Sequence, residues 1–431
     1  MCPLVDWSSA FTGNTKAEEK TQARRLAHLS EDLQARGIDI ARALKAVRSF
    51  QVEVPSWGVV VGGTRFGRFP LPGMPTTLAE KLDDIAFMQK LTGAGERVSL
   101  HIPWDKPEAP KTLIAGLKHR GLKIGSVNSN TFQDQPEQKH SYRYGSLTHV
   151  EKAVRAQAVT HNKDVIAVGQ SLGAKSLTVW ISDGGSYPGQ IHTRRAFDRY
   201  VESLQAIFAA VPRDWQMLVE HKPFEPAFHH SVNNDWGTSY LAASQVGDRC
   251  GCLVDFGHHL PGTPIDVVVA RLISAGRLGG FHFNDRRYAD DDLTAGSVAP
   301  YQLFQVFVEL TLAALDRTVK NFHPGYTIDQ SEGVKDPLEA LTQTIDALQT
   351  ALAQSWIVDF DGLFEAQERN DPLAAERLLQ TAFRTDVSAL VAEARRLNGC
   401  AIDPLGAFRR SGYRAAMARQ RAVQAAGAGN I

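Results

Sequence analysis

Charge of one sign is what this sequence lacks most plainly: 47 lysines and arginines stand against 47 aspartates and glutamates. No long-range field is therefore available to gather nucleic acid or an anionic membrane at the surface, and neither is an expected partner. Long hydrophobic runs are missing too. No stretch approaches the roughly 18 apolar residues of a membrane span. The start, MCPLVDWSSAFTGNTKAEEK, has neither the basic end nor the apolar run of a signal peptide. The expected location is the cytoplasm. Cysteine is sparse, four in 431 residues, which excludes a disulfide-stapled fold. Cys250 and Cys252 are one residue apart, and neither Cys2 nor Cys400 completes a zinc knuckle, so they read as small buried apolar residues. Low complexity is confined to AAGAGN near the end, which is expected to fray.

What is present is an ordinary globular composition, 43% hydrophobic, in a chain too long for one average domain. Eight short β-rich runs follow one another between about residues 55 and 350: PSWGVVVG, RVSLHIPW, KIGSVNSNTF, KSLTVWISD, QMLVEH, GCLVDFGHH, LGGFHFND and TVKNFHPGY. Each is followed by a helix-like segment. Strands alternating with helices imply parallel strands joined by crossovers, and eight such units close into a (β/α)₈ TIM barrel. Helix starts are clearest at three places. Thr77 and Glu80 form a capping box ahead of Leu78, Leu82, Ile85 and Met88 on one face. Thr263 is expected to cap a helix with Pro264 first and Gly276 as its stop, and Asp336, Pro337 and Glu339 repeat that opening.

The expected organisation is an N-terminal helical segment over 1–50, the barrel over 51–352 and a C-terminal helical extension over 353–431. Both flanks read as covers over the outer helices. The C-terminal arm reads equally well as a subunit contact, because a long helical arm seldom buries its apolar face alone.

Residues at the C-terminal ends of barrel strands point into the mouth. Here those positions hold His101 and Trp104 after the second strand, Trp180 and Asp183 after the fourth, and Glu220, His221 and Lys222 after the fifth. The sixth adds Asp255 and His258. The seventh adds His282, Asn284 and Asp285, with Asp290, Asp291 and Asp292 beyond, and the eighth adds Asp329 and Ser331. Taken alone, Asp255 reads as a helix cap, Asp290 to Asp292 as a solvated loop and His282 as a bonded core histidine. Together they are carboxylates from several strand ends that repel one another in a shared mouth, so a cation must compensate them. Oxygen ligands with one imidazole per ion suit Mn²⁺, Mg²⁺ or Co²⁺ better than Zn²⁺. Seven candidate ligands are too many for one ion and about right for two. His229, His230 and His323 lack such company and read as structural or exposed.

The strings VPSWGV, GGTRFGRFP, VSLHIPWDKP, NSNTF, HSYRYGSLTH, LTVWISDG, LVDFGHH, ARLI, GGFHFNDRRYADDDL, IDQS, FRTDV and SGYRA resemble those of bacterial L-rhamnose isomerases of the broad-specificity kind. The likeness runs from about residue 30 to 415 and departs near the N-terminus, at PFEPAFHH after Lys222 and at the tail. It implies aldose–ketose isomerisation of L-rhamnose, and of D-allose and related sugars, in a barrel with two divalent ions similar in logic to xylose isomerase. By that resemblance Glu220, Asp255, His282 and Asp329 hold the first ion. His258, Asp290 and Asp292 hold the second, with Glu220 as a possible bridge. His101 and Lys222 contact the sugar, and Trp104, Phe132 and Trp180 wall the pocket. Phe66 reaches a neighbouring subunit's site, which implies a homotetramer.

On that reading His101 serves ring opening, Lys222 donates to a substrate oxygen, and Trp57 joins the apolar wall. Asp329 acts also as a catalytic group, and Ser331 lies near the sugar. Hydrogen crosses either directly between the two carbons or through an enediol, and the sequence leaves both routes open. The rival readings are a barrel sugar epimerase, a metal-dependent hydrolase and a non-catalytic sugar binder. A nuclease-like hydrolase calls for a basic groove and a histidine-rich ligand set, which are missing, and sugar binding alone needs no paired ions.

Overall fold

The computed structural model of the chain describes residues 13–61, 63, 64, 67–224, 230–320 and 322–421. Phe66, His229 and the AAGAGN tail lie outside the described residues. Eight parallel strands close on themselves: β1 Glu53–Pro55, β2 Arg97–Ile102, β3 Lys123–Ser129, β4 Ser176–Val179, β5 Gln216–Glu220, β6 Cys250–Asp255, β7 Leu278–Phe283 and β8 Gly325–Ile328. They follow chain order around the barrel, and β8 meets β1 through Glu53 opposite Thr327. The (β/α)₈ expectation holds. Strand interiors such as Met217, Leu218 and Val219 are buried on both faces, as parallel strands require. One close approach sets a sequence requirement: a Cβ on Gly125 would meet the Glu53 carboxylate, which fills the barrel interior and accepts from Ser126 Oγ at 2.7 Å.

Two strands differ from expectation. PSWGVVVG overshoots, because Ser56 to Val59 turn out of β1 after Pro55. TVKNFHPGY starts early, since β8 begins only at Gly325 and the earlier part is loop. The apolar content of both runs packs outside a ladder: Val59 is fully buried beside the core, and Phe322 leans against it.

Helices α1 Lys16–Ala35 and α2 Ile40–Ser49 precede the barrel. Those within it are α3 Leu78–Thr92, α4 Pro110–His119, α5 Lys152–Leu172, α6 Thr193–Phe208, α7 Trp236–Val246, α8 Ile265–Ser274, α9 Pro300–Leu315 and α10 Pro337–Trp356. The box at Thr77 and Glu80 forms, and α3 ends on left-handed Gly93. Asp336 caps α10 by accepting from Leu338 N. Thr263 does not cap α8. Pro264 stands at the cap position with no side-chain bond, and Gly276, at φ +62°, lies just beyond the end. A proline one residue earlier than expected leaves no room for the threonine oxygen to reach the first turn.

The C-terminal helices are α11 Phe360–Glu368, α12 Pro372–Arg384, α13 Ser388–Leu397, α14 Pro404–Ser411 and α15 Tyr413–Gln420. Helix α13 packs against α1, α2 and α10, and Leu33, Val47, Phe304, Ile357 and Leu390 share an apolar cluster beside the barrel core. Truncating Leu33 or Leu390 to alanine is expected to cost about 2–5 kcal/mol, typical of a filled core position. No helix among the described residues is long and apolar enough to cross a membrane.

Candidate active site

Strands β5 to β8 deliver one ligand-bearing side chain each to the same spot. His282 Nδ1 lies 3.0 Å from Glu220 Oε1, 3.7 Å from Asp255 Oδ2 and 3.2 Å from Asp329 Oδ2. Donor atoms of these four residues all fall within 4.8 Å of one another, and so do those of Asp255, His258 and Asp290. Asp255 belongs to both groups. His258 Nδ1 is 3.1 Å from Glu220 Oε1 and its Nε2 is 3.1 Å from Asp290 Oδ1, so the two groups share a wall.

Surrounding donors fix the carboxylates. Asn284 Nδ2 donates to both Asp255 oxygens at 3.1 and 3.2 Å, and Gly257 N donates to Oδ1 at 2.7 Å. A Cβ on Gly257 would sit 3.2 Å from both Asp255 Oδ1 and Asp290 Oδ1, so a larger residue would crowd the carboxylates. Asn233 ties the end of β5 down by donating to Glu220 O at 2.9 Å and accepting from Lys222 N at 3.0 Å. Trp57 Nε1 donates to Asp329 Oδ1 at 2.8 Å.

The electrostatics show what such a cluster requires. Burial disfavours charge on every member, yet the carboxylates around His258 and His282 carry both imidazoles' protonation well above the ordinary range. Burial, with Glu220 and Asp329 adding to it against the pull of His258, pushes Asp255 up to about 7. Glu220 and Asp290 stay well below the usual carboxylate range despite burial, Glu220 held there by both imidazoles and Asp290 by His258 and Lys222. The cluster thus takes up protons to supply the positive charge it lacks. A divalent cation answers the same need. Three carboxylates and one imidazole, with donor atoms within 4.8 Å of one another, are a donor set that fits a hard ion.

The other half of the mouth is aromatic. The His101 ring lies 5.4 Å from Trp57, 4.7 Å from Trp104 and 5.6 Å from Phe132, and Phe132 lies 4.4 Å from Trp180. Trp104 is the most open of these, 41% exposed. Burial pushes His101 down to about 4, so its imidazole is neutral at neutral pH. Its Nε2 has no hydrogen-bond partner among the described residues. Lys222 links the halves: its ammonium pairs with Asp290 and stands 4.7 Å from the Trp180 ring centroid.

Asp292 falls outside both ligand groups. It sits at φ +46°, with Asn284 Nδ2 3.5 Å from its Oδ1, and burial beside Asp290 and Asp329 raises its carboxyl well above the ordinary range. Ser331 is exposed, and its backbone N–H bonds Asp292 O at 3.2 Å. Asp183 anchors a loop, accepting from the backbone and hydroxyls of Ser146 and Thr148 at 2.7–2.8 Å. His230 and His323 are exposed.

Sequence reasoning missed Asp105. This buried carboxylate accepts from His101 N at 2.9 Å and from Ser56 Oγ, and pairs with Lys81 at 3.0 Å. Its position inside HIPWDKP was the available signal. Glu53, pushed up to about 7 by burial, was announced only by an acid inside the apolar stretch QVEVP.

No family model matches the chain. It is 47% identical over 432 residues to a probable sugar isomerase of Rhizobium meliloti, covering 99% of each chain. It is 47% identical over 418 residues to a probable sugar isomerase of Mesorhizobium japonicum, covering 97% of each. Xylose isomerase of Thermus thermophilus is 27% identical over 239 residues, which span 51% of this chain and 60% of that one. Among solved structures, a xylose isomerase domain protein of Alicyclobacillus acidocaldarius superposes with a TM-score of 0.50 at 15% identity, covering 71% of this chain and 99% of its own. A D-allulose 3-epimerase from Methylomonas sp. does so with a TM-score of 0.50 at 13% identity, covering 70% and 98%. These two likenesses show the barrel fold. Identity of 47% over nearly the full length of both rhizobial relatives shows more: the chain belongs to their family of sugar isomerases.

Proposed function

We propose that the chain is a metal-dependent aldose–ketose isomerase that converts L-rhamnose to L-rhamnulose and also D-allose to D-psicose (D-allulose). It uses two divalent ions per subunit, Mn²⁺ foremost with Co²⁺ or Mg²⁺ as substitutes, in a cytoplasmic homotetramer. The observation that carries this reading is the division of one mouth into a carboxylate–imidazole half and an aromatic half, with the neutral His101 among the rings. When bound, the ions would supply charge stabilisation to the oxygens on the two carbons between which hydrogen moves.

The chain's own residues do the rest. His101 Nε2 takes the proton of the anomeric hydroxyl and returns it to the ring oxygen, which opens the ring. Lys222, steered by Asp290 and the Trp180 face, donates to a substrate oxygen. Trp104, Phe132 and Trp180 receive the sugar's C–H face and methyl group, which a 6-deoxy sugar presents and a hydroxymethyl sugar does not. Trp57 serves that wall and also orients Asp329. Asp329 has one oxygen bonded to Trp57 and the other beside His282. With both engaged, direct transfer of hydrogen between the carbons is favoured over removal of a proton by Asp329. Ser331, at the rim, and Phe66 complete the sugar site on this reading.

The test is chelated protein assayed on L-rhamnose and D-allose before and after Mn²⁺ is restored. Ketose should form only after restoration. Verified metal binding with no ketose from either sugar, or full activity in a verified metal-free sample, overturns the reading.

A further inference from the structure

The last described helix, α15, packs on α3 of the outer ring and reaches the loops beside it. Closing the barrel sets β8 beside β1, so the loop after β1 and the loop after β8 border one seam. These loops carry Trp57 and Asp329, joined by their 2.8 Å hydrogen bond, and Val61 and Glu332 form a lone parallel bridge between the same loops. Helix α15 bonds to both. Arg414 grips Asp336, the cap of α10 where the β8 loop ends, with Nε at 2.6 Å and Nη2 at 2.9 Å. Its Nη1 reaches Gly73 O, in the loop after β1, at 2.8 Å.

Arg421, at the other end of the helix, grips the loop after β1 and α3 but not the loop after β8. Its Nη1 donates to Gly73 O at 3.0 Å and its Nη2 to Asp84 of α3 at 2.6 Å. Asp84 is wholly buried and takes a second bond from Tyr413 Oη at 2.6 Å, while the Tyr413 ring stacks on Phe87 at 4.1 Å. Loop and helix touch through their backbones: Gly73 has φ +82°, and a Cβ there would lie 2.7 Å from Ala418 N. A planar guanidinium presents several donors in a fixed fork, so one side chain can hold a carboxylate and a carbonyl at once, and a lysine ammonium is a poor replacement.

We propose that Arg414 and Arg421 are positioning residues: Arg421 ties α15 and the loop after β1 to α3, Arg414 staples that loop to the end of the loop after β8, and together they fix Trp57 against Asp329, a member of the first metal group. This inference rests on the reading of that group as the metal site of the isomerase.

The test compares full-length Arg414→Gln, Arg414→Lys and Tyr413→Phe with the parent by hydrogen exchange, metal content, and kcat and KM on L-rhamnose. Arg414→Gln should speed exchange at 69–76 and 329–336 together, leave 176–181 unchanged, weaken Mn²⁺ retention and lower kcat about tenfold. Arg414→Lys should fail to restore these, because one ammonium cannot bridge both loops. Tyr413→Phe, which keeps the ring stack, should show the same pattern more weakly should Arg414→Gln not fold. Faster exchange in one segment only, an unchanged kcat with lowered melting, or full rescue by lysine overturns the staple. If the parent isomerises no sugar, the proposed function fails, while exchange and Mn²⁺ retention still decide the staple.

Discussion

The two halves of the barrel mouth are built from the same strand-and-helix unit and do opposite things. Strands β5 to β8 end in Glu220, Asp255, His282 and Asp329, all polar and within ligand distance of one another. Strands β2 to β4 and the turns just after them carry His101, Phe132 and Trp180, whose rings pack one against another. The charged half gathers protons because its carboxylates crowd. The aromatic half expels one, since burial holds His101 neutral. A polyol needs both surfaces: its oxygens face charge, its C–H face faces rings. Lys222, paired with Asp290 and standing over Trp180, is where the halves meet.

Breaking the charged half should have the largest effect. In Asp255→Ala both ligand groups lose their shared carboxylate, and in His282→Ala the first loses its imidazole. Either variant should lose bound Mn²⁺ and essentially all isomerase activity. The parent should melt higher with metal than without, by an amount matching roughly 3 kcal/mol at a hundredfold excess over Kd. Both variants should lose that increment. Melting unaffected by metal in the parent would separate this cluster from ion binding.

Breaking the aromatic half at its one titratable ring should act on turnover alone. His101→Asn should lower kcat on ring-closed sugar by about 10²–10⁴, the usual worth of a positioned acid–base group, with metal content unchanged. A fall in metal content along with activity would reassign the residue. The pH profile gives a second reading. His101 is depressed to about 4 from an ordinary 6.5, so between those values the unfolded chain binds a proton that the folded chain refuses. Stability therefore falls as pH drops through that window. His101→Asn should flatten this slope in urea titrations of the metal-free protein, and an unchanged slope would place the titration elsewhere.

Much of this contrast was legible in the sequence, and the exceptions have physical causes. An apolar parallel strand ending in Glu220, Asp255 or His282 announces itself, since burying such a group without a purpose is costly. Strands β1 and β8 were misjudged because Val59 and Phe322 are apolar yet pack from turns and loops, which periodicity does not distinguish from strand. The grouping of the acidic side chains was legible only in part. Asp290 and Asp292 look equivalent in ADDD, but Asp292 has a left-handed backbone and stands outside both groups. Long-range partners left no local trace: Asp105 meets Lys81 across 24 residues and Asp84 meets Arg421 across 337, and nothing in either segment names the other.

A milder break of the aromatic wall should change choice of sugar more than speed. Phe132 packs between Trp104 and Trp180, where the methyl of L-rhamnose is expected to rest. Phe132→Leu removes the flat face and keeps the site apolar. Burying one methyl is worth about 0.8 kcal/mol, so the preference for L-rhamnose over L-lyxose, which lacks that carbon, should drop by roughly fourfold. An equal loss of kcat/KM for both sugars would move the methyl elsewhere.

The smallest expected effect asks whether the apolar half ends within one subunit. Trp104 stays 41% exposed, and Phe69 beyond β1 is 65% exposed, so the described residues leave the rings open to water on that side. An open wall weakens every electrostatic contact across the mouth, and a cover from outside would strengthen them. GGTRFGRFPLPGMP is too long and too apolar for a plain connector. Its Phe66 lies outside the described residues and is the proposed cover for a neighbour's site. Phe66→Ala should raise KM for L-rhamnose several-fold, leaving kcat, metal content and subunit mass unchanged. If Phe66 acts across subunits, mixing this variant with an inactive His101→Asn variant should regenerate some sites in which an intact His101 meets an intact Phe66. Light scattering at assay concentration should report a tetramer. A fully active monomer would mean that the aromatic half is complete in one chain.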